Sequence, residues 1–148
     1  MIRRMCEEDI PEVARLESQM FSDPWSENVY RQTFNIEGVV YLVDIEDDDI
    51  VAVAGVRNIV GDGEVTNVMV RPEYRRQGIA KAVLRQLLYE GRQIGVRDFT
   101  LEVRKSNAPA IKVYEELGFR LEGVRPGYYE HPHEDALIYW LRADEDIE

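Results

Sequence analysis

The sequence has little cysteine, little histidine and no long apolar run. Its 148 residues include one cysteine, Cys6, and two histidines, His131 and His133. One cysteine cannot form an internal disulfide, and so few sulfur and imidazole groups give no framework for a metal site. No segment approaches the roughly 20 apolar residues of a membrane span. The chain turns acidic at Glu7, where a secretory signal would carry its apolar core, so we expect a cytoplasmic protein with neither metal nor membrane partner.

Net positive charge is also missing. The formal net charge is −11 at pH 7, which argues against nucleic acid as a partner because phosphate binding needs a broad basic surface. Two interpretations of the acidity stay open: it steers amine-bearing substrates toward the protein, or it only keeps the protein soluble. The length suits a single domain over residues 1–148, and 45% hydrophobic residues suffice for one core.

The first half of the chain predicts two helices followed by antiparallel strands. Apolar residues recur at helical spacing over 10–20, and Ser26 stands where a second helix needs an N-cap. Strand-like runs at 39–45 and 50–59 are joined by a charged turn, and a third run covers 64–70. This order is typical of a sheet with helices packed against it.

The second half alternates helix and strand. An amphipathic stripe over 79–88 predicts one helix, and Asn107 can cap another that Gly118 ends. Further strand-like runs occupy 99–103, 119–123 and 136–141. The complete pattern predicts an α/β (α+β mixed) fold, in which helices flank a mixed sheet.

A strand, a tight loop and a helix follow one another in the middle of the chain. Between Arg71 and Lys81 lie four cations and one acid, although the chain as a whole is acidic. A helix that begins at Ile79 leaves N–H groups unpaired, and with the helix dipole these suit an anion. The small residues Gly78 and Ala80 let a ligand approach the backbone. The Walker and dinucleotide patterns are absent, and a plain basic turn remains the alternative.

Four blocks of this chain resemble the GNAT acetyltransferase superfamily. Residues 75–80, Arg-Arg-Gln-Gly-Ile-Ala, are similar to its pyrophosphate loop, and 101–119 to its next strand, helix and Gly-Phe stop. The blocks at 21–26 and 125–136 resemble its RimI group, the ribosomal-protein-alanine N-acetyltransferases. The resemblance implies a GNAT-type, mostly antiparallel sheet of about seven strands, with about four helices and splayed central strands.

The resemblance also implies how acetyl-CoA would bind as co-substrate. The backbone of Val68, Met69 and Val70 would pair with the pantetheine arm at the splayed strands. Asn107 would contact the same arm. The pyrophosphate would lie on the loop formed by Arg75, Arg76, Gln77, Gly78, Ile79, Ala80 and Lys81.

Two side chains are implied as catalytic: Glu102 as general base and Tyr114 as general acid. The chemistry suits these residue types, because an amine attacks only when neutral and the departing thiolate needs a proton. Backbone N–H groups at Met69 or Val70 would stabilise the charge on the acetyl oxygen. An ordinary exposed strand glutamate and a packing tyrosine remain the alternatives for the two side chains.

The acceptor side is expected to be an aromatic groove. Trp25, Tyr30, Tyr128 and Tyr129 would line it and hold a peptide N-terminus, although aromatic residues at such places also suit a core. The resemblance therefore implies an acetyl-CoA-dependent acetyltransferase of protein N-terminal α-amines, with a ribosomal protein as one candidate substrate. An acetyltransferase of small amines (polyamines, amino acids or antibiotics) and a non-catalytic acyl-CoA sensor are the alternatives. The oligomeric state stays open.

Overall fold

The computed structural model describes residues 1–143, which form four α-helices, two short 3₁₀ helices and a seven-stranded sheet. The helices are α1 (Ile10–Met20), α2 (Glu27–Phe34), α3 (Ile79–Gln93) and α4 (Ala108–Glu116). The strands are β1 (Ile2–Arg4), β2 (Val39–Glu46), β3 (Asp49–Ile59), β4 (Asp62–Val70), β5 (Asp98–Arg104), β6 (Arg120–Glu130) and β7 (His133–Leu141). The predicted mixed fold is confirmed. In this part of the chain no helix has the length and apolar character needed to cross a membrane.

The sheet has the strand order β1-β2-β3-β4-β5-β7-β6, and only the β4–β5 pair is parallel. These two strands pair at their starts alone, where Asp62, Gly63 and Glu64 face Asp98, Phe99 and Thr100. Further along, β4 keeps its ladder to β3, and β5 keeps its ladder to β7. The opening between β4 and β5 beyond these three pairs is called the gap below. It is the splay that the family resemblance implies.

Local sequence explains where two of the helices begin. The Ser26 hydroxyl accepts a hydrogen bond from the Val29 N–H at 3.2 Å at the start of α2. The Asn107 amide oxygen accepts one from the Ala110 N–H at 3.3 Å at the start of α4. Both predicted N-caps are confirmed, and each satisfies a first-turn donor that has no partner inside its helix. In contrast, α3 follows Gly78 and has no side-chain cap.

Two apolar clusters cover the two faces of the sheet. On one face, α3 and α4 pack against buried strand residues such as Phe99 and Leu101. On the other face, α1 and α2 pack against residues that include Val53 and Met69. Because side chains alternate along a strand, neighbouring residues of β4 and β5 contribute to opposite faces. The gap therefore connects an α3–α4 face with an α1–α2 face.

Two strands differ from the sequence expectation. The three-residue β1 was not predicted, because so short a strand gives no alternation to read. β6 extends to Glu130, whereas the sequence pattern indicates only 119–123. Pro126 and Gly127 interrupt the strand pattern, and the structure accommodates them in an irregular segment of β6 after Arg125.

Gly91 of α3 lies against the ring of Phe99, and an added Cβ would meet Phe99 Cε2 at 2.7 Å. Alanine normally stabilises a helix interior by about 1 kcal/mol relative to glycine, but overpacking a core costs roughly 1–3 kcal/mol. We expect Gly91→Ala to lower the free energy of unfolding, measured by urea denaturation. Gln93→Ala, at an exposed position of the same helix, should change it by less than about 0.5 kcal/mol. A Gly91→Ala protein more stable than wild type would contradict this packing.

Candidate active site

One edge of β4 is open where the gap begins. Within residues 1–143 the β4–β5 ladder ends at Glu64 and Thr100, so residues 65–70 have no strand partner on that side. A β-bulge beside Asn67, opposite β3, increases the local twist. An open edge of this kind offers N–H and C=O groups to an extended ligand, as a sheet does when it gains a strand.

Alternation decides which backbone groups face the gap. The Arg71 N–H donates to the Val51 carbonyl at 2.8 Å, which fixes Met69 as a residue whose own N–H and C=O bond to β3. Val68 and Val70 then direct their backbone groups into the gap. Of the three positions expected to pair with acetyl-CoA, Val68 and Val70 are placed to do so. The expectation for Met69, also as a donor to the acetyl oxygen, is wrong in this geometry.

The basic loop before α3 has the backbone of an anion site. Arg76 and Gly78 have positive φ angles of 63° and 77°, and α3 begins at Ile79 without a side-chain cap. The first-turn N–H groups therefore remain available, with the positive end of the helix dipole behind them. Apart from Gly78 and its neighbours along the chain, no atom of the described residues lies within 4 Å of the place of a Gly78 Cβ. A phosphate group can thus reach the backbone here.

The side chains of this loop surround the same site. The Arg75 Nε donates to the Val70 carbonyl at 3.2 Å, which ties the loop to the open edge of β4. The Lys81 Nζ lies 3.6 Å from the Glu116 carboxylate. Positions 75–78 are exposed, and Ile79, Ala80 and Lys81 are half-buried. The loop is therefore open to an anion, and its pairing with a pyrophosphate stays a prediction.

Glu102 lies on β5, two residues beyond the last β4–β5 pair. Leu101 and Val103 are buried in the α3–α4 cluster, so the Glu102 side chain points to the α1–α2 face. Its side chain is 31% exposed, and its carboxylate forms an ion pair with the Arg125 guanidinium. A carboxylate at this place is within reach of both solvent and the gap, as a general base must be.

Tyr114 and Asn107 both belong to the α4 region. Tyr114 is only 6% exposed and packs with Phe119 at a ring-centroid distance of 5.9 Å. Burial, and to a lesser extent the neighbouring Tyr129, raises the pKa of Tyr114, so its phenol keeps the proton throughout the neutral range. Asn107 is exposed and uses its amide oxygen to cap α4. Tyr114 lies on the α3–α4 side of the sheet, opposite to the side chain of Glu102.

Tyr128 and Tyr129 lie at the end of β6, beside Glu102. Their rings meet edge to face with centroids 5.1 Å apart. The Glu102 carboxylate raises the pKa of Tyr128, and burial, followed by Glu102, raises the pKa of Tyr129 to about 12. The Arg104 guanidinium lies over the Tyr129 ring at 4.3 Å from its centroid. The expected base and two of the expected groove residues thus form one cluster at the gap.

The other two expected groove residues have different positions. Trp25 is half-buried in the loop between α1 and α2. The Ser22 hydroxyl of this loop donates to the His131 carbonyl, so the loop borders the β6–β7 turn. Tyr30 has no exposed surface and packs against Trp25 with ring centroids 5.3 Å apart. The expectation that Tyr30 lines the groove is therefore wrong: it is a core residue of α2 that supports Trp25.

Several residues of this region were not singled out from the sequence as part of the site. Arg125 pairs with Glu102, and Arg104 donates to the His131 and Pro132 carbonyls and to Glu134. Arg125 lies in the 125–136 block that carries the family resemblance, which is the one signal that could have found it. Within residues 1–143 no three His, Cys, Asp or Glu side chains are arranged to hold a metal ion.

Comparison with known proteins decides the family. The family model described as Acetyltransferase (GNAT) family matches residues 10–119. The chain belongs to the GNAT acetyltransferase family. GNAT acetyltransferases take the acyl group from acetyl-CoA, and the open β4 edge and the anion loop fit that co-substrate.

Individual GNAT relatives are similar along nearly the whole chain. The [ribosomal protein bS18]-alanine N-acetyltransferase of Salmonella typhimurium is 36% identical over 90% of both chains. A Bacillus subtilis (strain 168) protein is 32% identical over 97% of this chain and 96% of its own. The crystal structure of the Escherichia coli ribosomal-protein-S18-alanine N-acetyltransferase superposes with a TM-score of 0.86 at 31% identity, covering 100% of this chain and 98% of that one. The RimI-like resemblance is thereby confirmed.

Gly78 and Gly61 provide a matched pair to test the GNAT anion loop. Both have positive φ angles (77° and 91°) and no described atom within 4 Å of an added Cβ. Alanine at either place should cost about 1 kcal/mol of stability, because each position favours glycine. We expect Gly78→Ala alone to weaken CoA binding, by roughly 10-fold or 1.4 kcal/mol, measured by isothermal titration calorimetry. Equal CoA affinities of the two variants would contradict a pyrophosphate at this loop.

Proposed function

We propose that this chain transfers the acetyl group of acetyl-CoA to the α-amine of a protein N-terminus. The observation that carries the proposal is the position of Glu102 at the gap, between the open edge of β4 and the Tyr128–Tyr129 pair. The substrate class is supported by the Salmonella typhimurium and Escherichia coli relatives, whose names specify the alanine of ribosomal protein bS18.

Residues on the two faces of the sheet would have separate tasks. The acetyl thioester supplies the acyl group. The gap-facing backbone of Val68 and Val70 would hold its pantetheine arm and donate an N–H to the acetyl oxygen, and Asn107 would contact the same arm. The 75–81 loop would hold the pyrophosphate.

Glu102 would collect the proton of the attacking amine. A terminal α-amine has a pKa of about 7.7–8.0, so part of it must lose a proton before it can attack. The carboxylate is partly exposed and can take that proton directly or through a water molecule. Tyr114 would give its proton to the departing thiolate. Burial raises the pKa of Tyr114 and makes it a weaker acid, so this transfer requires that the thiolate is also held out of water.

The acceptor would enter from the α1–α2 face. Glu102 points to this face, and the Trp25 loop borders the turn that follows Tyr128 and Tyr129. Tyr128 is 50% exposed, and its hydroxyl, which lies beside the Glu102 carboxylate, would accept a hydrogen bond from the backbone of an extended peptide. This arrangement favours a peptide terminus over a compact small amine.

Acceptor choice can be tested by release of CoA thiol from acetyl-CoA by the purified protein. The acceptors are peptides that begin with Ala, Ser, Thr or Met, the same peptides with blocked N-termini, and several polyamines. We expect turnover on free peptides that disappears when the α-amine is blocked, because that amine is the nucleophile. Turnover on polyamines alone would overturn the proposal in favour of a small-molecule acetyltransferase, and tight CoA binding without turnover would favour the sensor.

The role of Glu102 can be tested with a matched glutamate. Glu102→Gln should slow turnover by roughly 10²–10⁴ while CoA affinity is retained, because only the proton acceptor is lost. Glu122 is also a strand glutamate paired with an arginine, Arg142, but it lies on β6 away from the gap. Glu122→Gln should leave kcat unchanged. An unchanged rate for Glu102→Gln across the pH range would remove Glu102 from the proposed role.

A further inference from the structure

Glu17 of α1 is a buried carboxylate that takes no part in the chemistry described above. The residue is 4% exposed. Its Oε1 accepts hydrogen bonds from the Tyr30 hydroxyl and, at 3.2 Å, from the Asn67 side-chain amide. Its Oε2 accepts one from the Trp25 backbone N–H. Burial of a carboxylate is costly unless hydrogen bonds compensate, so this convergence of donors is a built feature of the core.

The three donors come from three different elements. Trp25 belongs to the loop that borders the acceptor side, and Tyr30 to α2. Asn67 belongs to β4 and directly precedes Val68, whose backbone faces the gap. Asn67 also donates to the Tyr30 hydroxyl at 3.1 Å, which closes the cluster. One carboxylate thus connects the acceptor loop with the open strand edge.

Both oxygens of the Glu17 side chain must act as hydrogen-bond acceptors, because the groups around them are donors. Burial and the Glu17 carboxylate raise the pKa of Tyr30, so its hydroxyl stays a donor. The Trp25 N–H and the Asn67 amide are donors at any pH. A glutamine at position 17 has one acceptor oxygen and one donor nitrogen. Its nitrogen would have to face either the Trp25 N–H or the Asn67 amide, so one of these two donors would lose its acceptor, although the Tyr30 hydroxyl can itself accept a hydrogen bond.

We propose that Glu17 is a positioning residue, which sets the Trp25 loop relative to the β4 edge so that the acceptor amine meets the thioester. The proposal rests on the proposed function above. In this role Glu17 determines how the acceptor peptide and acetyl-CoA are placed relative to each other. A residue that only stabilised the core would instead change the amount of folded protein, and would leave the Michaelis constants of the folded molecules unchanged.

The test compares Glu17→Gln with wild type at equal concentrations of folded protein, measured by CoA-binding stoichiometry. We expect a higher KM for the acceptor peptide and a lower kcat, with a combined loss in kcat/KM of roughly 10²-fold, because small misplacements of reacting groups have effects of this size. The acetyl-CoA affinity should stay within about 3-fold of wild type, since the 75–81 loop does not contact Glu17. Unchanged peptide KM and kcat per folded molecule would overturn the proposal.

Two further variants keep the test decisive if Glu17→Gln folds poorly. Tyr30→Phe removes one donor but keeps the carboxylate with its bonds from Trp25 and Asn67, so its effect on the peptide KM should be smaller than that of Glu17→Gln. Glu17→Asp keeps both acceptor oxygens and should recover part of the wild-type kcat/KM. Glu17→Asp and Glu17→Gln could have the same low folded yield. If the peptide KM of Glu17→Asp is then lower than that of Glu17→Gln, positioning is supported. Equal peptide KM values for Glu17→Asp and Glu17→Gln would overturn it, because the two retained acceptor oxygens would then make no difference to acceptor binding.

Amide hydrogen exchange separates this proposal from the proposed function. In wild type the Trp25 N–H should be protected by its bond to Glu17, and in Glu17→Gln it should exchange faster. If wild type acetylates no peptide, the proposed function fails, whatever the variants do. Positioning is then judged on the Trp25 amide alone: unchanged protection in Glu17→Gln would show that Glu17 does not hold the loop.

Discussion

The site depends on one short parallel ladder, the three residue pairs between β4 and β5. Neither strand loses its other neighbour, so the sheet stays whole while its centre opens. Unpaired backbone groups are costly in a core but useful at a ligand site. At Val68 and Val70 the alternation with β3 directs backbone groups into the gap, and of these the Val70 carbonyl already accepts a hydrogen bond from Arg75. The loop ends at the α3 N-terminus, where further unpaired N–H groups collect.

The same opening separates two kinds of chemistry. Groups suited to a phosphorylated, extended ligand lie along β4 and the loop before α3, whereas Glu102 and the Tyr128–Tyr129 pair face the α1–α2 side. Successive side chains of a strand lie on opposite faces of the sheet, so Leu101 can be buried in the core while its neighbour Glu102 belongs to the candidate site. In the proposed reaction, an amine on the α1–α2 side and a thioester held along β4 would therefore approach the gap from different directions.

Sequence patterns predict local features well and distant contacts poorly. Ser26 and Asn107 act on donors three residues away, and both caps were predicted correctly. Tyr30 was assigned to the groove because an aromatic near Trp25 suits either place, and only the partner across the core, Glu17, decides. The Arg125–Glu102 ion pair joins β6 and β5 across β7. The two residues are far apart in the sequence, so the hydrophobic periodicity of either strand does not predict their contact. The Met69 backbone groups face β3 and not the gap, and this orientation likewise depends on the hydrogen-bond ladder between β3 and β4.

Charge shows most clearly why composition alone cannot describe this site. A net charge of −11 should repel an anionic co-substrate, yet at physiological ionic strength the Debye length is about 8 Å, so distant carboxylates are largely screened. In the proposed site, a pyrophosphate would be acted on by the local set of cations, Arg75, Arg76 and Lys81, together with the helix dipole of α3. On the acceptor side Glu102 faces Arg125, so a terminal ammonium that approaches this carboxylate must compete with a guanidinium already there. The local arrangement of cations, rather than the total charge, therefore determines which charged groups this site admits.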